Sequence, residues 1–173
     1  MQIFLKRNSR VLVAACSCYA VGLLLGIIFS NVLPVDKPVT SENPTIMEFF
    51  IHNLVADLLI SFTIFTFGIF TMVLLVMNGF LVGLSAVHSL ELGNSMPYVL
   101  VALLPHGVFE IPSMIVAGAI GFKLLDTVMM KLKGKSKIYL IQDISIFLVM
   151  IVCFTLIAAV IEATVTPFLL TLL

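Results

Sequence analysis

Long apolar runs separated by short polar breaks dominate the chain, and each run is about as long as a membrane span. A spanning helix needs about 20 apolar residues rising about 1.5 Å each. The first run covers residues 11–33, and beyond it Pro34, Pro38 and Pro44 forbid continued helix through a polar segment. Residues 49–87 contain no Lys, Arg or Glu. As one helix they would extend about 58 Å, nearly twice the hydrocarbon thickness of about 30 Å. The stretch therefore folds back near Gly68, giving spans 49–67 and 69–87. A re-entrant hairpin over the same residues is the rival, and it would invert everything downstream. Apolar sequence resumes at 98–122 with Glu110 at its centre, and a last run covers 144–165 before Pro167. Between them lies 123–143, with lysines at 123, 131, 133, 135 and 137. The pattern predicts an all-α bundle of five transmembrane helices, a single integral membrane domain over 1–173.

Charge orients that bundle. Short cytoplasmic loops are enriched in Lys and Arg. With five spans, Lys6, Arg7 and Arg10 share one side with the 123–143 lysines, and the acidic loop with Asp36, Glu42 and Glu48 takes the other. The N-terminus is then inside and the C-terminus outside; four spans would break the rule. Lys131, Lys133, Lys135 and Lys137 form a lipid-facing basic loop, each worth about 1 kcal/mol against anionic headgroups.

Composition agrees. Hydrophobic residues make up 61 % and charged residues 10 %, against about 25 % charged in a soluble domain. Mean hydropathy is +1.24. These values indicate a multi-pass protein of the cell membrane. A net charge of +0 excludes nucleic-acid binding by phosphate neutralisation. Cys16, Cys18 and Cys153 sit inside apolar runs, without the paired spacing of a disulfide framework or zinc site. The first run is too long for a signal-peptide core of about 7–15 residues and reads as a retained anchor.

Small residues recur every fourth position in the first span: Ala14, Cys18, Gly22, Gly26 and Ser30. Gly79 with Gly83, and Ala117 with Gly121, repeat the device. Such stripes let helices approach closely, within one bundle or between two copies.

Chemistry is confined to polar groups at membrane depth, where an ionisable side chain costs at least about 2.5 kcal/mol on insertion scales. Asn53, Asp57, Asn78, His106, Glu110 and Glu162 form the candidate polar cluster. His106 and Glu110 share a helix face by their i,i+4 spacing, and Pro105 and Pro112 loosen the helix around them. A structural clasp and a proton or ion pathway both explain the cluster. No HExxH pattern, third ligand or phosphate-binding glycine loop accompanies it, so no metal, cofactor or catalytic residue is expected. Ser85 and His88 at i,i+3 lack the oxyanion donors of an intramembrane serine protease.

The run Leu104-Pro105-His106-Gly107-Val108-Phe109-Glu110-Ile111-Pro112, with Ala117-Gly118-Ala119-Ile120-Gly121 after it, resembles the stage II sporulation protein M family. Met77-Asn78-Gly79-Phe80-Leu81-Val82-Gly83 is similar to its asparagine–glycine segment, and residues 158–167 to its C-terminal Glu signature. Asn53 stands where members usually carry an asparagine pair, with His52 replacing the first. The resemblance implies a non-enzymatic multi-helix subunit that scaffolds or gates a cell-envelope complex in secretion or remodelling. The branch most like this chain occurs in archaea and in circular-bacteriocin gene clusters. That branch implies the alternative, transport, maturation or immunity for a membrane-active peptide, proton-coupled through Glu110. Implied partners are membrane lipid, other membrane or envelope proteins including an ABC transporter ATPase, and a second copy of the chain.

Overall fold

Residues 2–32, 45–134 and 139–173 are described by the structure, a computed structural model, with position 106 described in its backbone alone. Five helices are long and apolar enough to cross a membrane. They are α1 (Gln2–Phe29), α2 (Ile46–Phe62), α3 (Ile69–Glu91), α4 (Met96–Leu132) and α5 (Leu140–Val160), which continues through a π turn (Ile161–Val165) into the short α6 (Thr166–Leu170). The all-α reading with five spanning helices is what the structure shows.

Several boundaries differ from the sequence reading, each for a local reason. The first helix begins at Gln2 instead of residue 11. Lys6, Arg7 and Arg10 are good helix formers and do not interrupt it. α4 runs on through Lys123 to Leu132 and α5 starts at Leu140, so both ends of the expected loop 123–143 are helical. Lys123 is buried and paired, so its charge does not end the helix. Lys131 and Lys133 lie at the end of α4 and are exposed, whereas Lys135 and Lys137 fall outside the described residues, as does the proline-rich loop. Pro167 does not stop the last helix. The π turn shifts the register, Thr166 N–H bonding Ile161 C=O, and Pro167 then occupies the first turn of α6, where its missing N–H is not needed.

α2 starts at a capping box, in which Thr45 and Glu48 satisfy each other's free groups. It ends in a 3₁₀ turn (Thr63–Thr66) leading into Phe67 and Gly68, both left-handed with φ of 51° and 87°. The reversal at Gly68 is tight against α4, since a Cβ there would lie 2.5 Å from the Phe122 ring.

Two seams assemble the bundle. On α1 the buried positions are Phe4, Asn8, Val11, Ala15, Tyr19, Gly22 and Gly26, alternating by three and four as one helical face requires. That face meets α3 in parallel. A Cβ at Gly22 would fall 2.1 Å from the Val76 carbonyl oxygen, and one at Gly26 2.1 Å from that of Phe80. From the other side, a Cβ at Gly79 would fall 2.2 Å from the Tyr19 carbonyl oxygen and one at Gly83 2.3 Å from that of Leu23. Backbones pack directly, the geometry that small-residue stripes permit. Gly121 of α4 sits on Thr71, where a Cβ would meet the Thr71 hydroxyl at 2.3 Å.

α4 is the central element and packs against the other four spans. Ser113, Met114 and residues 116–121 are buried around Ile60, Leu75, Phe147 and Ile151. The outward surface carries Val21, Ile28, Phe62, Phe70, Ile141 and Val149. So much exposed apolar area would aggregate in water, but it suits lipid.

Candidate functional site

Polar groups inside the bundle occupy three levels. The lowest lies at the basic end. Arg7 of α1 pairs with Asp143 at the start of α5, Lys123 of α4 reaches the other Asp143 oxygen at 2.7 Å, and Lys123 also donates to Asn8 Oδ1. The Arg7 guanidinium stacks over Tyr139 at 4.3 Å. Arg10 approaches Met130 Sδ, which brings the basic start of α1 to the same end as Lys131 and Lys133. Asp143 and Lys123 are almost completely buried, so each requires the other. Sequence reasoning placed both in a loop. Periodicity could have found them: Asn8 lies on the α1 stripe with Phe4 and Val11, and Lys123 follows Val116 and Ile120 on one face of α4.

The middle level joins α2, α4 and α5. Asp57, 1 % exposed, accepts hydrogen bonds at Oδ2 from Ser113 (2.6 Å) and Thr155 (3.0 Å). The two hydroxyl oxygens are 2.9 Å apart, and Thr155 also reaches the Ile151 carbonyl at 2.8 Å. Asp57 was expected among the polar residues; Ser113 and Thr155 were not. Short hydroxyls are common in apolar helices, and nothing local marks these two except their places on the buried faces of α4 and α5.

The third level centres on Glu110. It lies within electrostatic reach of Asp57, of Glu162 in the π turn and of Tyr19 on α1. Asn53, one turn before Asp57 on α2, is buried beside Glu162. Asp57, Glu110, Glu162 and Asn53 therefore face one interior region from three helices. Asn78 turns its amide to the Leu74 carbonyl of its own helix at 2.8 Å. His106 lies one turn before Glu110 on the α4 backbone, and its side chain is outside the described residues.

Between α1, α3 and the first half of α4 lies a cavity of about 450 Å³. Leu23, Val87, Leu103 and Leu104 line it with other apolar side chains, and Tyr19 and Glu110 form its polar wall. Pro105 and Pro112 stand inside α4 on either side of Glu110. Each removes a helical hydrogen bond, which weakens α4 where it borders the cavity.

The arrangement suits proton or cation binding at interior carboxylates better than covalent chemistry. Ser85 is exposed and His88 faces Glu91 at 3.6 Å. Among the described residues no three His, Cys, Asp or Glu side chains are grouped to hold a metal ion. Cys16 and Cys153 are exposed on the outer surface, and Cys18 is half-buried.

Comparison with known proteins covers nearly the same ground as this polar interior. An uncharacterized protein of Methanocaldococcus jannaschii is 34 % identical over 160 residues, which is 86 % of this chain and 89 % of the relative. No solved structure matches the chain. The family described as stage II sporulation protein M matches residues 13–167, a range that holds Asn53, Asp57, Glu110, Ser113, Thr155 and Glu162 of the middle and third levels. As that match takes in nearly the whole helical bundle, the chain belongs to the stage II sporulation protein M family.

Proposed function

We propose that this chain is a non-enzymatic membrane subunit that gates a cell-envelope complex in secretion or remodelling, with Glu110 as the gating group. The observation carrying this reading is the position of Glu110. It stands between two prolines inside α4, on the wall of an apolar cavity, within electrostatic reach of Asp57 and Glu162. Adding or removing one charge there changes the energy of a helix already short of two hydrogen bonds, while the α1–α3 seam stays fixed. Partners in this reading are anionic lipid at Lys131, Lys133, Lys135 and Lys137, envelope proteins such as an ABC transporter ATPase at the basic end, and a second copy of the chain. The basic end faces the cytoplasm of the plasma membrane. Cysteines placed at 134 and 173 and labelled in intact cells test that orientation, and labelling of 134 from outside refutes it.

Glu110→Gln tests the gate, because it keeps the shape and removes the charge. Loss of secretion or envelope phenotype at unchanged membrane abundance supports the proposal. Full function in that variant reduces Glu110 to structure. The cavity itself favours a second reading, transport of or immunity to a hydrophobic peptide such as a circular bacteriocin. A small hydrophobic precursor gene and an ATP-binding-cassette gene beside this one support that reading; wall-hydrolase genes support the first.

A further inference from the structure

We propose that a groove between the basic ends of α1 and α4 binds one anionic phospholipid, its phosphate held between Arg10 and Lys133. The groove encloses about 230 Å³. Arg10, Asp126 and Lys133 form its polar rim, and Val11, Phe122 and Leu125 belong to its apolar floor. Phe122, Leu125, Asp126 and Lys133 share one face of α4 by their spacing. Arg10 reaches along that helix to Met130 Sδ at 3.7 Å, which brings its guanidinium to the last turns of α4, where Lys133 stands.

The short α2–α3 hairpin leaves this face open. Along α3 toward its start, Leu75 meets Gly118, Thr71 meets Gly121, and the reversal at Gly68 meets Phe122. From Phe122 to Lys133 α4 rises about 16 Å more, and α2 and α3 have already turned back. The floor of the groove therefore adjoins the apolar outer surface, with Leu125 37 % exposed. An occupant must bring hydrocarbon to the floor as well as negative charge to the rim, which favours a lipid over a soluble protein or a bare anion.

The rim selects the headgroup. Ion pairs among the described residues join Arg7 and Lys123 to Asp143, and His88 to Glu91, so Arg10 and Lys133 have no carboxylate partner there. Arg10 donates to a thioether, a weak acceptor. A guanidinium fork matches phosphate oxygens, and a lysine ammonium adds a point charge. Arg10, Lys133 and Asp126 sum to one formal positive charge, which one phosphodiester neutralises. A zwitterionic lipid would leave that charge uncompensated beside hydrocarbon. A headgroup hydroxyl, as in phosphatidylglycerol, also offers Asp126 a donor. Basic pockets between helix ends take anionic headgroups in this way. The site rests on and deepens the lipid contact proposed above at Lys133, turning diffuse attraction into one seat, and it stands whether or not Glu110 gates a complex.

The test is native mass spectrometry of the purified chain released from nanodiscs of phosphatidylglycerol, phosphatidylethanolamine and phosphatidylcholine in equal amounts. One phosphatidylglycerol per chain is expected, preferred at least about tenfold over the other two. Arg10→Gln and Lys133→Gln should each cut that preference about fivefold. Leu125→Trp, which fills the floor and keeps both cations, should also weaken retention. Lys6→Gln and Lys131→Gln remove cations that do not line the groove and should leave retention unchanged. All five side chains are exposed, so each variant should fold, as gel filtration checks. Equal loss in the Lys6 or Lys131 variant overturns the seat and leaves only the diffuse attraction. Equal retention of the three lipids, or preference for a zwitterionic one, also overturns it and leaves the groove to a cytosolic protein. Displacement of the lipid by millimolar inorganic phosphate overturns it in favour of a simple anion site. None of these readouts depends on secretion or on membrane orientation, so a failure here is separate from a failure of the Glu110 gate.

Discussion

The α1–α3 seam and the α2–α4–α5 seam solve the same problem with opposite chemistry. Helices in lipid gain nothing from burying apolar surface against each other, since the surrounding solvent is equally apolar. α1 and α3 therefore associate by removing side chains. Gly22, Gly26, Gly79 and Gly83 let carbonyls and α-carbons touch, leaving no room for a Cβ. α2, α4 and α5 associate through hydroxyls and a carboxylate at Asp57, Ser113 and Thr155. The first seam has one close-packed arrangement. The second holds a buried carboxylate among hydroxyls, its central helix carries two prolines, and α5 runs on into a π turn. Close packing on one side and polar, titratable contacts on the other are what the gating proposed above would require.

The sharpest way to break this contrast is to fill the glycine seam. Gly26→Leu forces a side chain into the Phe80 carbonyl, where even a Cβ has only 2.1 Å. Overpacking of this kind costs about 3 kcal/mol or more when backbone must move. The expected result is collapse of folded yield in detergent, and normal yield would show that the seam yields as readily as the polar one.

Next in size is the ion pair at the basic end. Lys123→Met leaves buried Asp143 with Arg7 alone, at a cost of about 3 kcal/mol. Adding Asp143→Leu should recover most of the loss, because the uncompensated charge is gone. Denaturation midpoints of the single and double variants measure both effects.

How much of this was legible in the sequence follows from how local each feature is. Five spans were legible because apolar runs of membrane length are contiguous. The glycine stripe was legible because its period belongs to one helix. The start of α1 at Gln2 and the end of α4 at Leu132 were not, because charges at Arg7 and Lys123 are neutralised by Asp143, 136 residues from Arg7. The acids at 57, 110 and 162 stood out as isolated charges in apolar sequence. Ser113 and Thr155 did not: their importance comes from meeting Asp57 across 56 and 98 residues of chain.

Ser113→Ala probes the polar seam more gently. Interhelical hydrogen bonds in membranes average about 0.6 kcal/mol and reach about 1.7 kcal/mol. Loss of the short contact to a buried carboxylate should fall near the upper value. Ser113→Ala combined with Thr155→Val should depart from additivity, because both hydroxyls serve the same Asp57 oxygen. Additive costs would mean the two act separately and the seam is not one network.

The smallest effect is expected at Asn78, which sequence reasoning grouped with Glu110. Its amide bonds the Leu74 carbonyl at 2.8 Å, a partner on the same helix that already takes part in the helical ladder. Beside it, Gly79 provides the close approach to α1. Asn78→Leu therefore removes an intrahelical bond without leaving a buried group unmatched, and replaces a half-buried amide by apolar surface suited to lipid. Stability should change by less than about 0.5 kcal/mol, and the cellular phenotype should persist where Glu110→Gln loses it. Loss of phenotype at normal stability would instead make Asn78 part of the Glu110 centre, and the responsive region would then extend across the cavity into α3.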